Sequence, residues 1–187
     1  MKRNGSMRRL AFLAAAGLLI LPAAGPRAAH ALSMAEMADA SRVFSDMSQK
    51  ILQAAAGARE RTDQANAEMN VLDRGWPGTP PQTREAIGRI ESHLQAARER
   101  LQDAKQRMSR LSAHYQGGLA KSRKGRRAPS PVETEEDKFV LARYNEAYRE
   151  AGDRAERSYE QALYALRQAE ERLLTLKKKA AGIPPGN

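Results

Sequence analysis

The chain has 187 residues, with 32 Lys or Arg against 22 Asp or Glu, no cysteine and only 5% aromatic residues. Absence of cysteine excludes a disulfide framework, thiolate metal sites and a cysteine nucleophile. Scarce aromatics and abundant alanine argue against a thick globular core; they favour thin helix-on-helix packing, because Ala has the highest helix propensity and lets backbones approach closely.

Residues 1–31 read as a secretory signal peptide. Lys2, Arg3, Arg8 and Arg9 make a positive start and Leu10 to Leu21 an apolar core. Pro22, Gly25 and Pro26 break that core, and Ala29-His30-Ala31 offers small residues at both positions a signal peptidase reads. The alternative is an uncleaved anchor, but a spanning helix needs about 20 apolar residues. The segment holds five basic and no acidic residues, so its removal takes the formal net charge from +10 to +5. Half of the basic balance is therefore a targeting signal and by itself no reason to expect nucleic acid. Residues 32–187 are expected to form a single domain, periplasmic or secreted, and membrane-anchored only if residues 1–31 stay attached.

Three long helices follow, each opened by a capping box: Ser33-Met34-Ala35-Glu36, Thr79-Pro80-Pro81-Gln82 and Ser130-Pro131-Val132-Glu133. In this motif the hydroxyl caps the N3 amide while the N3 side chain reaches back to the cap's own N–H. Pro at N1 of the second and third costs nothing there. Stops are read at Gly75, at Gly117-Gly118, and at Gly182 before Pro184-Pro185. The helices are then about 33–73, 80–116 and 131–181, with a disordered tail at 182–187.

Apolar spacing agrees. The second helix carries Ile87, Ile90, Leu94, Ala97, Leu101, Ala104, Met108, Leu111 and Tyr115, alternating steps of three and four as a coiled-coil seam does. The first gives Met37, Ala40, Phe44, Met47, Ile51, Ala54, Ala58 and onward to Leu72; the third runs from Leu141 and Tyr144 to Leu176 and Ala180. Each of these two contains one 4-4 step, around Ala58 and around Ala155, which locally unwinds a supercoil. Both steps lie 25 residues beyond their caps, so a parallel pair would bring them to one height. The small residues there, Ala54 to Ala58 and Ala151-Gly152, predict close packing or a flexible, partner-accepting waist.

The connectors differ. Residues 73–81 form a tight Gly/Pro turn holding the only Trp, Trp76, which either plugs the end of the bundle or makes a binding contact. Residues 117–129 form a basic loop with Lys121, Arg123, Lys124, Arg126 and Arg127, without acid or aromatic. That loop can be a solvated linker, or it can bind an anionic membrane surface or an acidic envelope protein. Nucleic acid is disfavoured, because no aromatic interleaves for base stacking. Glu133, Glu135, Glu136 and Asp137 suit a helix start and can also hold the basic loop down.

No catalytic constellation is present, and no cofactor or metal is expected. His93 and His114 flank the seam of the second helix, 21 residues or about 30 Å apart, too far to share a metal. No Gly-rich phosphate loop, HExxH or GxSxG occurs. The expectation is an all-α, elongated antiparallel three-helix bundle or coiled coil, up-down-up, behind a cleaved signal peptide. Its expected function is that of an exported, non-enzymatic interaction protein, a periplasmic adaptor or chaperone-like holder. Lys121, Arg123, Lys124, Arg126, Arg127 and Trp76 are the partner-binding candidates. One alternative is a structural part of an envelope secretion apparatus. Through signal peptide, size and helix pattern alone, the chain is similar in architecture to the minor pilus proteins of type IV secretion and conjugation systems. Another is an anionic membrane-surface binder. The Ala-rich seams serve one chain's bundle and a homo-oligomeric coiled coil equally well.

Overall fold

The computed structural model describes residues 32–75, 80–124 and 135–182. The expected signal peptide, the boxes at Thr79 and Ser130, Trp76, Arg126, Arg127 and residues 183–187 lie outside the described residues. The described residues form three packed helices, α1 Met34–Arg74, α2 Pro80–Lys124 and α3 Glu135–Ala180. Phe44 packs on Tyr144 and Asp73 bonds Arg172, so α1 and α3 run parallel. Phe44 also meets Tyr115, and Glu68 meets Arg89, so α2 runs antiparallel to α1. This is an up-down-up bundle about 70 Å long, from the 46 residues of α3 at about 1.5 Å each.

Local chemistry sets the ends. Glu36 N–H donates to Ser33 Oγ at 3.2 Å while Ser33 N–H donates to Glu36 Oε2 at 2.9 Å, the expected capping box. Such a cap is worth about 1 kcal/mol. At the other end of the chain Gly182, at φ 72°, closes α3 with its N–H on the Lys179 carbonyl at 3.0 Å. That left-handed conformation is the one glycine adopts without a steric penalty.

The expected stop at Gly117-Gly118 is corrected: α2 continues to Lys124, eight residues beyond 116. The seam explains why. Its 3-4 steps go on from Tyr115 to Gly118 and Ser122, and Ser122 is buried. Leu119 packs half-buried on the core. At Gly118 the ring of Tyr144 occupies the space a side chain would need, its Cζ 2.7 Å from an ideal Cβ. The glycine is there for close approach. Two Gly in a helix cost about 1 kcal/mol each, a cost offset by burial of the turn that follows.

The core has two parts. Toward the start of α1 it is aromatic: Phe44 and Tyr144 are fully buried, and Tyr115 stacks on Tyr148 at 3.9 Å between centroids. Toward the other end it is aliphatic, built from Met69, Leu72, Ile90, Leu94, Leu166 and Leu176. Between them the helices meet through alanines, among them Ala54, Ala58, Ala97, Ala104 and Ala155. On α3 the buried residue of the first turns is Val140, with Leu141 at the margin, in place of the expected Leu141.

The two 4-4 steps do not share a height. Ser48 Oγ donates to the Ala151 carbonyl 103 residues away, and Arg172 reaches Asn70 and Asp73 across 102 and 99. Aligned caps would give a separation of 97. α3 is thus slid by about one turn, and Ala58 and Ala155 fall in different core clusters. The aromatic rings around Phe44 set this register; alanines are too small to hold another.

Candidate partner-binding surface

The bundle redistributes the charge that the sequence placed in a loop. Lys121, Arg123 and Lys124 belong to the last turns of α2, and Lys121 is exposed. α2 carries ten Lys or Arg against four Asp or Glu, whereas α1 has five against seven and α3 ten against ten. Within α2 the excess is confined to residues 98–124, with eight basic and two acidic residues. The positive end is therefore a rigid half-helix as well as a connector.

One row within it stands out. His93, Arg100, Arg107, His114 and Lys121 recur every seven residues beside the seam. All five sit on the α1 side. His93 Nε2 lies 3.4 Å from Glu68. Arg100 lays its guanidinium over Gly57, with Cζ 3.1 Å from where a Cβ would stand. Arg107 lines a groove of about 640 Å³ with Lys50 and Arg61 of α1. His114 presents its ring edgewise to Phe44 at 5.7 Å. Lys121 lines a second groove of about 420 Å³, near Glu36, Asp39 and Val43.

The heptad frame of the seam already contained this row. Which flank of α2 faces α1 was not legible, because either hand of a three-helix bundle satisfies the same spacing.

The other two interfaces are laced by charge. Between α2 and α3, Arg98 Nε bonds Glu170 at 2.6 Å and Lys177 bonds Glu91. Between α1 and α3, Arg172 Nη2 bonds Asp73 Oδ2 at 2.5 Å with Lys179 at 3.7 Å. Between α1 and α2, Glu68 bonds Arg89 at 3.2 Å and lies 3.4 Å from His93. Beyond it Arg107 pairs only with Asp103 on its own helix, and among the described residues neither Arg100 nor Lys121 has a carboxylate within 4 Å. Opposite Arg100 and Arg107 the α1 wall is basic, with Lys50 and Arg61, whereas beside Lys121 it carries Glu36 and Asp39.

Two ionisable groups report on the ends. Burial pushes the Tyr144 hydroxyl above its usual value, and Tyr115 beside it adds to the shift. The hydroxyl donates to the Tyr115 carbonyl at 3.1 Å, and Tyr115 Oη donates to Asn145 Oδ1 at 2.9 Å. At the far end the hydrogen bond from Arg172 holds the Asp73 carboxyl below its ordinary 3.8, with Lys179 helping. A lowered folded-state pKa stabilises above the unfolded value and is lost as pH falls through the folded one. Arg172→Gln is therefore expected to flatten the dependence of stability on pH below about 4. Acid titration of the unfolding midpoint checks this, and unchanged steepness would refute it.

The fold and this surface define the class: an elongated all-α three-helix rod, basic along one half of its central strand of chain. No family model, curated protein or solved structure matches the chain. Among the described residues no helix is long and apolar enough to cross a membrane.

Proposed function

We propose that this protein is an exported, non-enzymatic helical adaptor that holds an anionic partner of the cell envelope, an acidic protein first, at the basic end of its rod. The observation that carries this reading is the confinement of eight basic residues to residues 98–124 of α2, against two acidic ones. Rigid placement favours recognition, since less side-chain and backbone entropy is lost on binding than from a free loop. The signal-peptide pattern of residues 1–31 supports export, and with it a partner met in the periplasm or outside the cell. Arg126, Arg127 and Trp76 stay partner-binding candidates on the sequence argument alone.

A second reading has its own observation. Met34 and Phe139, about half exposed, flank the same end beside Arg143, a pairing of apolar and cationic groups that suits an anionic bilayer surface. Photo-crosslinking in the native envelope separates the readings, with the reactive residue at Ala120, which is exposed; Leu119 faces the core. One protein captured at fixed stoichiometry supports the adaptor, or a part of a secretion apparatus if its genes neighbour such a system. Many captured proteins indicate a chaperone. No capture, with salt-sensitive pelleting on anionic vesicles, replaces the adaptor by the surface binder.

A further inference from the structure

The row of basic residues beside the seam has a period of seven, two helical turns or about 10.5 Å. A bilayer or an extended chain has no such repeat; an α-helix lying along this face meets Arg100, Arg107 and Lys121 at heptad positions, with His114 between the last two, as flanking residues do in coiled coils. From Arg100 to Lys121 the row spans 21 residues, or about 32 Å, the length of an ordinary helix. We infer that the tipward half of the α1/α2 groove, walled by Arg100, Arg107 and Lys121, is the docking groove for an acidic amphipathic helix of a partner protein. This inference rests on the adaptor reading and names its site and the chemistry of its partner.

Three features fit that occupant. Small residues line both grooves, Ala54 and Ala96 the first and Ala40, Ala113 and Gly117 the second, so a fourth helix can approach closely there. Lys50 and Arg61 face Arg100 and Arg107 from α1, so there the partner's carboxylates meet cations on both walls, while beside Lys121 the α1 wall carries Glu36 and Asp39. Lys50 is held by Asp46 at 2.7 Å and Arg61 by the Gln64 amide at 3.0 Å, which leaves both near the groove in fixed geometry. Among the described residues Arg100 and Lys121 have no carboxylate within 4 Å to surrender. Glu99, Asp103, Glu36 and Asp39 also line these grooves. They repel a broad anionic surface laid across the rod, whereas a helix carrying acid along one flank can place it on the cations.

The test uses the full chain and two peptides of about 28 residues, four heptads long. Both have the same Ala/Leu seam; one carries Glu at the flanking positions, the other Lys. The Glu peptide is expected to bind at about 0.1 M salt, and the Lys peptide not to bind. Arg100→Glu/Arg107→Glu/Lys121→Glu is expected to weaken the Glu peptide by about ten-fold or more, three exposed pairs being worth about that together. The same variant should gain affinity for the Lys peptide. Arg149→Glu/Arg167→Glu/Lys178→Glu, the same charge change on exposed positions of α3, is expected to leave binding within about three-fold. Helical circular dichroism and thermal unfolding confirm that both variants fold.

Equal losses in the two variants would reduce the groove to unspecific attraction and overturn the inference. So would binding of phosphatidylglycerol vesicles without binding of the Glu peptide, or self-association of the chain that the groove variant abolishes. If Ala120 captures one envelope protein and the groove variant still captures it, the adaptor reading stands and the groove falls. If Ala120 captures nothing, both fall.

Discussion

Gly118→Ala is expected to lower the unfolding free energy by about 1–2 kcal/mol, while Gly117→Ala, one residue earlier, is expected to raise it by about 0.5–1 kcal/mol. The same methyl group has opposite signs because its surroundings differ. At Gly117 a Cβ meets nothing within 4 Å, so only the helix propensity gained by Ala remains. At Gly118 it would run into the Tyr144 ring. That ring cannot swing aside: Phe44 lies 5.2 Å away, Tyr115 stacks at 5.5 Å, and the hydroxyl is bonded to the Tyr115 carbonyl. Tyr144→Phe in the Gly118→Ala background removes the nearest atom and should recover part of the loss, with Cζ at 2.7 Å retaining the rest. Urea unfolding followed at the helical band reads all three. Destabilisation by both alanines would mean that the pair ends a helix after all.

Phe44→Ala carries the largest expected cost, about 3–5 kcal/mol, a large share of the about 5–15 kcal/mol typical of a whole domain. Phe44 has no exposed surface and is ringed by His114, Tyr115, Tyr144 and Tyr148 at 5.2 to 6.4 Å between centroids. The alanine waist next to it has no bulk with which to collapse into the cavity. The loss should be local as well as global. Hydrogen exchange is expected to quicken first at the start of α1, the end of α2 and the start of α3, with the Met69 and Leu94 end protected for longer. A cost under about 1 kcal/mol would show instead that the aromatic end is loosely packed.

Much of the architecture was legible in the amino-acid sequence because its signals are local. Ser33 and Glu36 satisfy each other within one turn, and Gly182 ends α3 with a backbone bond to Lys179. The seam of α2, from Ile90 through Leu94, Ala97, Leu101 and Ala104 to Leu111, buries as its spacing requires. The misread boundary was legible too, in the steps to Gly118 and Ser122. Those residues are small, so hydropathy alone passes them over. The candidate surface was half visible: Lys121 was singled out, but Arg100, Arg107 and the two histidines had no shared meaning until α1 was placed beside them.

Alone, then, the sequence determined that three long helices form, where α1 begins, where α3 ends and which stripes are buried, because capping and the 3.6-residue repeat act between neighbours in the chain. Tertiary structure decided that α2 runs on to Lys124, that α3 slides by about one turn against α1, and that the basic row faces α1, where Arg107 meets Lys50 and Arg61. Each of these depends on a ring or a charge supplied from a distant part of the chain: Tyr144 over Gly118, Phe44 among the tyrosines, and no α1 carboxylate within 4 Å of Arg100. Packing volume and charge partners across helices are properties of the assembled bundle, and no local window of residues contains them.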